Sequence, residues 1–552
     1  MNSSNSLLHK QSQTSKSVCI LQLTRAGDLI QTLQAAKDYL FFHPETKFDL
    51  IARYKISQPI LFLLETFYEN IFYIDEFSAS DYTQECWSAR SHLYDEVINL
   101  SFSPISAKVA ATLKATSYKG LTLDSDGKIS VSDRWSTYFY GSVNTGSYNP
   151  FHIIDLFRFI IGETRSRVKI STLEDIDFNK ILLHPFASLE RKRWSADKWA
   201  DVTSKILSSL PDCQIILVGG KEDEQEALEL VNHSILRKLK NRVTNLVGST
   251  SLEDLWKSLP EIDFFLGHDS LVGNLCALKD IPCLTVALGC VRPWETTPYA
   301  SHSFSLRPSS KCFPCFPDET CSYYQCHYDI SSSCISEIIS DLSAPNSTRI
   351  SQSQTILSKD TGLVSKSLVY DGIIFHSLLG GNNAPIGEIV RTVYFIAWNF
   401  FLNDIEINLP LPKISESGHS SLLKLTEGLK YCYELFEFGK RYSKYILDEC
   451  LSLTPNIKNV KDNSLKLSEI EELLIALKST YPELSPVVAF GILERSNFCN
   501  VGIKELAYKN FSSYNEGSLL CNVIFDLLTK LISENKQLLN IRQKEILGEG
   551  NG

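Results

Sequence analysis

Two corners of the sequence place polar residues where a carboxylate or a helix start could do chemistry. Thr24-Arg25-Ala26-Gly27-Asp28 ends an apolar run, Val18 to Leu23, just before a helical pattern from Leu29 to Leu40. A carboxylate there can cap the orphan amides of the helix, the commoner role by position alone. It can also serve as a general base held ionised by the helix N-terminus. Both roles stay open for Asp28, and Gly27 leaves room for a substrate to approach the backbone. The second corner is Gly267-His268-Asp269-Ser270, between the apolar run Asp263 to Leu266 and the pattern Leu271-Val272-Gly273-Asn274-Leu275-Cys276-Ala277. Helix starts at strand ends are where phosphates bind in open α/β sheets. Asp269 would cap that helix or accept bonds from sugar hydroxyls. Ser270 and the first amides, those of Leu271 and Val272, would then be left for phosphate.

Cations and acids nearby extend this chemistry. Glu190-Arg191-Lys192-Arg193-Trp194 follows the apolar run Lys180 to Leu183. Such a charged run is usually a solvated face, yet at a strand end it could aim Lys192 at a diphosphate as a point charge. Glu222-Asp223-Glu224 after Gly219-Gly220 could reach a ribose or stabilise a helix start, and the two readings weigh equally. Cys312-Phe313-Pro314-Cys315, then Cys321 and Cys326, has thiolate metal-site spacing, with His327 and Cys334 as further candidates. A closed set of four thiolates implies structural zinc or iron, against the alternative of reduced thiols in a loop.

Alternating apolar runs and helical patterns must position these residues. Strands are predicted at 18–23, 48–52, 70–74 and 96–100, making a first α/β domain, 17–170, in which 117–150 reads as irregular. A second series has strands at 180–185, 214–220 and 243–247, helices at 195–210, 224–230 and 252–259, and the strand, helix, strand unit around Asp269. It makes a domain 178–342, with a possible capping box at Ser251 and Asp254. The Ser/Thr/Asn/Gln-rich stretch from Ser343 reads as a linker, 343–366. Helical patterns at 387–402, 422–447, 468–477 and 518–539 then make an α-helical accessory domain, 367–552.

Composition narrows the classes. A chain of 552 residues exceeds one core. Its formal net charge of -10 argues against a nucleic-acid partner. No apolar run approaches the ~20 residues that span a bilayer; the strongest, Tyr394 to Leu402, reads as a core helix. Met1 to Lys16 is polar with no secretory signal region, so the chain is expected in the cytoplasm. There its fifteen cysteines would be reduced. Peripheral membrane contact and oligomer formation stay open.

Taken in order, the motifs resemble glycosyltransferase family 9, the ADP-heptose:lipopolysaccharide heptosyltransferases. The opening motif is Ile20-Leu21-Gln22-Leu23-Thr24-Arg25-Ala26-Gly27-Asp28-Leu29-Ile30-Gln31-Thr32. The central one is His184-Pro185-Phe186-Ala187-Ser188 with Lys192-Arg193-Trp194. The third is Gly267-His268-Asp269-Ser270 with Leu275-Cys276-Ala277 and Ile281-Pro282. The resemblance runs from about residue 17 to about 342. It implies a GT-B fold, two Rossmann-like domains facing a cleft. It implies inverting transfer of a heptose from an ADP-activated donor to an acceptor hydroxyl on a lipopolysaccharide core glycan or a protein, with no metal required.

By this resemblance Asp28 is the base and Lys192 neutralises the leaving diphosphate. Ser188, Glu222, Asp269, Ser270, Leu271 and Val272 hold the donor. Similar cysteine clusters occur in the family, Cys334 being the alternative last ligand to Cys326. Leu271 stands where the family usually has glycine, and Asn274 where it often has histidine. The rival readings are a GT-B scaffold that has lost catalysis and a nucleotide-sugar epimerase of the same fold.

Overall fold

Residues 15–74, 84–142, 148–168, 176–316, 320–343, 362–379, 384–414, 416–498 and 501–546 are described by a computed structural model. The polar leader to residue 14 and most of the expected linker, 344–361, lie outside the described residues.

The first lobe is a six-stranded sheet in the order β3-β2-β1-β4-β5-β6. Its strands are β1 (Ser17–Leu21), β2 (Lys47–Arg53), β3 (Ile71–Ile74), β4 (Leu93–Asn99), β5 (Lys114–Leu123) and β6 (Ile129–Val131). All pairs are parallel except β5 with β6. Strand β1 is apolar at four of five positions and buried there, as a central strand covered on both faces must be. The stretch 117–150, expected to be irregular, instead holds most of β5, all of β6 and the helix Arg134–Ser142. Strand β5 carries many polar residues because it is half-exposed, and that helix is built from aromatic rings rather than an aliphatic stripe.

The second lobe is an eight-stranded sheet in the order β14-β13-β12-β11-β10-β7-β8-β9. The strands are β7 (Lys180–His184), β8 (Gln214–Leu217), β9 (Val243–Asn245), β10 (Phe264–His268), β11 (Cys283–Val286), β12 (Ser303–Arg307), β13 (Leu363–Tyr370) and β14 (Ile373–Leu378). Strands β7 to β12 are parallel. Strands β13 and β14 form an antiparallel hairpin added to β12. The expected boundaries are corrected here: 363–378 is neither linker nor helix but the edge of the second sheet. Its turn residues Asp371 and Gly372 have φ of 48° and 78°, the left-handed pair that a two-residue hairpin turn requires.

Helices Ile386–Asn403, Glu416–Leu451, Ile457–Thr480, Ser485–Ser496 and Ile503–Ile546 complete the chain. They brace both lobes. Trp135 of the first lobe donates from Nε1 to Asn403 Oδ1 at 2.9 Å, and Arg134 pairs with Glu516 at 2.6 Å. Arg307 at the end of β12 pairs with buried Glu388, which also holds Arg391 over the Trp294 ring at 3.6 Å. No helix among the described residues is long and apolar enough to cross a membrane.

Candidate functional site

Both sheets reverse strand order next to a candidate corner. Strand β1 lies between β2 and β4, and β7 lies between β8 and β10. The crevice beyond the carboxyl ends of strands at such switch points is where doubly wound sheets bind ligands. The helix Ala26–Phe42 after β1 packs against the helix Leu271–Leu278 after β10, so the two crevices share one cleft of about 840 Å³. Asp28, Ser188, Glu222, Asp269, Ser270, Leu271 and Val272 all line it.

On the first-lobe side the N-cap of the Ala26–Phe42 helix is Arg25, whose side chain makes no capping bond. Asp28 sits three residues on, in the first turn of the helix. It is therefore not the helix cap that its position alone suggested, and it faces the cleft. Thr24 Oγ1 lies 2.7 Å from Asp28 Oδ2 and 2.6 Å from Oε1 of buried Gln22. Burial pushes the Asp28 carboxyl above its ordinary value. The Thr24 bond and the Arg25 charge pull it back down, and Asp269 across the cleft pushes it up again.

On the second-lobe side Ser270, not Asp269, is the N-cap of Leu271–Leu278, its Oγ accepting from Gly273 N–H at 3.5 Å. Asp269 is thereby left for an ion pair with Lys192 Nζ at 3.3 Å. Lys192, expected to point into the cleft, stands just behind Asp269, with its side chain 14 % exposed. The cations on the cleft wall are Arg193, paired with Glu226 at 3.2 Å, and Arg25. Neither was singled out from the sequence, although Arg193 adjoins Lys192. Across the floor, Gly219 has no room for a side chain: a Cβ there would stand 2.7 Å from the Phe186 ring.

His268 positions the cation-bearing turn. Its Nε2 accepts from Trp194 N–H at 3.0 Å and from Trp199 Nε1–H at 3.2 Å, so the proton must lie on Nδ1, which donates to Val286 O at 2.9 Å. Burial lowers its pKa to about 3 and keeps the ring neutral. The turn is held from the other side by His327, whose Nε2 lies 3.0 Å from Arg191 O.

The cysteines behind that turn form a looser group than their spacing implies. Cys315 and Cys326 each have thiols raised chiefly by burial and further by neighbouring thiols, Cys312 and Cys321 among them. Cys334 is buried apart from them on the helix Ser332–Ser343. Among the described residues no group of three or more His, Cys, Asp or Glu side chains stands ready to hold a metal ion. The four thiols would have to close in to do so.

Two doubly wound lobes meeting at their strand ends, with Asp28 and Arg25 on one wall and Asp269 and Arg193 on the other, have the GT-B fold. Residues 163–327 match the family model of glycosyltransferase family 9 (heptosyltransferase). This chain carries a glycosyltransferase family 9 domain there.

Among solved structures, E. coli ADP-heptose lipopolysaccharide heptosyltransferase II is 16% identical with a TM-score of 0.42, over 59% of this chain and 98% of that one. E. coli heptosyltransferase WaaC with ADP is 17% identical with a TM-score of 0.43, over 59% and 100%. The iron-containing dodecameric glycosyltransferase TibC from enterotoxigenic E. coli H10407 is 12% identical with a TM-score of 0.35, over 59% and 76%. No curated protein matches the sequence. At these identities and TM-scores nothing about this chain rests on the likeness.

Proposed function

We propose that the chain is an inverting glycosyltransferase that moves a heptose from an ADP-activated donor to an acceptor hydroxyl of a glycan or a protein. The observation that carries this reading is Asp28 facing Asp269 and the Lys192 turn across one cleft, in a chain whose second lobe is a family 9 domain. Asp28 takes the proton of the acceptor hydroxyl as its oxygen attacks the anomeric carbon. The bond from that carbon to the β-phosphate oxygen breaks, and ADP departs with the electron pair. A base with a raised pKa is matched to that proton transfer. Lys192, turned from Asp269 to the diphosphate, and Arg193 offset the developing charge. Ser270 and the amides of Leu271 and Val272 hold the phosphates at the helix start.

The step needs no metal. A structural zinc or iron ion on Cys312, Cys315, Cys321 and Cys326 is a separate part of this reading. Elemental analysis of the purified chain tests it, and metal-free protein with full activity removes it. The free thiols of the described cysteines suit a reducing cytoplasm. Calorimetry against a panel of nucleotide sugars tests the whole reading: ADP-heptose should bind best and be turned over. A chain silent to every donor is a scaffold, and one that epimerises its donor is the other enzyme.

A further inference from the structure

The two lobes are joined by buried polar groups that the scheme above leaves unused. Tyr299 of the second lobe, 1 % exposed, lies between the short helix Pro293–Thr296 and β12. Its hydroxyl donates to Asp155 Oδ1 and accepts from Arg158 Nη1 at 2.9 Å, both on the first-lobe helix Ile153–Ile161 and both fully buried. Its carbonyl accepts from Gln34 Nε2 at 3.0 Å. Asp155 and Arg158 also hold the β13–β14 hairpin: Arg158 Nη2 donates to Gly372 O at 3.0 Å, and Ile374 N–H donates to Asp155 Oδ2 at 3.3 Å. Two residues before Tyr299, Thr297 O accepts from Nε2 of buried His152 at 2.7 Å. His152 Nδ1 accepts from Ile154 N–H, so its proton lies on Nε2.

This joint is continuous with the cleft on both sides. Gln34 and Asp28 share the Ala26–Phe42 helix, about 9 Å apart along its axis. Thr296, at the end of the short helix that precedes Tyr299, lines the cleft on the second lobe. A shift of Tyr299 against Gln34 therefore carries Asp28 with its helix relative to the opposite wall. Charged groups excluded from water fix such a joint in one arrangement, because any other leaves a buried carboxylate or guanidinium unpaired.

We infer that Tyr299 is a positioning residue for the transfer: by joining the helix that carries Asp28 to the second lobe, it sets how far Asp28 stands from Asp269 and the Lys192 turn. This rests on the donor reading of the same cleft. Ser188, Lys192, Asp269 and Ser270 all belong to the second lobe, so loss of the joint moves the base and leaves the ADP site as it was.

Tyr299→Phe keeps the ring and removes the hydroxyl, and Gln34→Met loosens the same joint from the first lobe. Both are compared with wild type as the full chain, with and without Asp269→Asn, in ADP affinity by calorimetry and in ADP-heptose turnover as a function of pH. Each should bind ADP within about twofold of wild type. Each should lose kcat on the order of 10- to 100-fold, the scale for displacing a reacting group by about 1 Å. Asp269→Asn, which moves the acid limb to lower pH in the wild-type background, should move it less in Tyr299→Phe, because the two carboxylates then stand farther apart. A role in stability alone would lower the melting temperature and keep that shift at full size. Tyr299→Phe with kcat within about twofold of wild type, with ADP affinity lost as far as turnover, or with the full Asp269→Asn shift overturns the inference alone. Where Tyr299→Phe does not fold, Gln34→Met is read by the same criteria. A wild-type chain that neither binds nor turns over ADP-heptose overturns the donor reading, and this inference with it.

Discussion

Asp28 of the first lobe carries a carboxyl whose pKa is raised by the charge of Asp269 on the second lobe, on top of the larger effect of its own burial. The two acids thus sense each other across the space a sugar would fill. A base works only when ionised, so turnover should rise with pH through an acid limb set by Asp28 and displaced above the ordinary carboxylate range. Asp269→Asn removes the like charge and should move that limb to lower pH, read from kcat/KM across pH 4 to 8. A limb that stays put would separate the two residues.

Thr24 acts on the same limb with the opposite sign. Its hydroxyl bond to Asp28 lowers the carboxyl pKa. Thr24→Val should therefore move the acid limb to higher pH. It also strips a partner from buried Gln22, at a cost of about 1 kcal/mol in chemical denaturation. Loss of stability with an unmoved limb would make Thr24 structural only.

Lys192 is closer to Asp269 than to open solvent, and this has a kinetic consequence. If it swings to the departing diphosphate, Lys192→Ala should cost on the order of a hundredfold or more in kcat. The double variant with Asp269→Asn should show less than the summed loss, because the two side chains are partners. Additive losses in a double-mutant cycle would uncouple the two side chains, and an unchanged kcat in Lys192→Ala would place Lys192 outside the reaction.

Four histidines are held neutral by burial, their pKa values lowered to about 3 for His152 and His268 and about 4 for His184 and His376. Between those values and 6.5, the unfolded chain binds protons that the folded chain does not, so stability falls as pH drops through that window. Asp155, pushed up to about 6 by burial, works in the opposite sense. Urea midpoints should nevertheless decline from pH 7 to pH 5, with net proton uptake on unfolding. A flat profile would count against these burials.

The local chemistry of the site was legible where a short rule applies. The β1 corner, the Ser251 cap that accepts from Asp254 N–H at 3.1 Å, and the β10 corner all follow from apolar runs broken by capping residues. The β13–β14 hairpin had its own signal in Asp371-Gly372, outweighed by the polar stretch before it. Less legible was whatever depends on residues far apart in sequence. That Asp269, freed by the Ser270 cap, pairs with Lys192 depends on a residue 77 positions away. His268 looks like a site residue by motif, but Trp194 and Trp199 make it a brace. Arg193 faces the cleft and Lys192 stands behind it because the turn Glu190–Lys192 is a single 3-10 turn, whose rotation no periodicity encodes.

The most direct measurement is turnover of ADP-heptose by the purified chain, wild type against Asp28→Asn, with donor binding followed in parallel by calorimetry. The two should bind the donor alike, while Asp28→Asn loses turnover by about 100-fold or more. Equal turnover by the two proteins, or a wild type that does not engage ADP-heptose at all, would contradict a heptosyl transfer driven by Asp28.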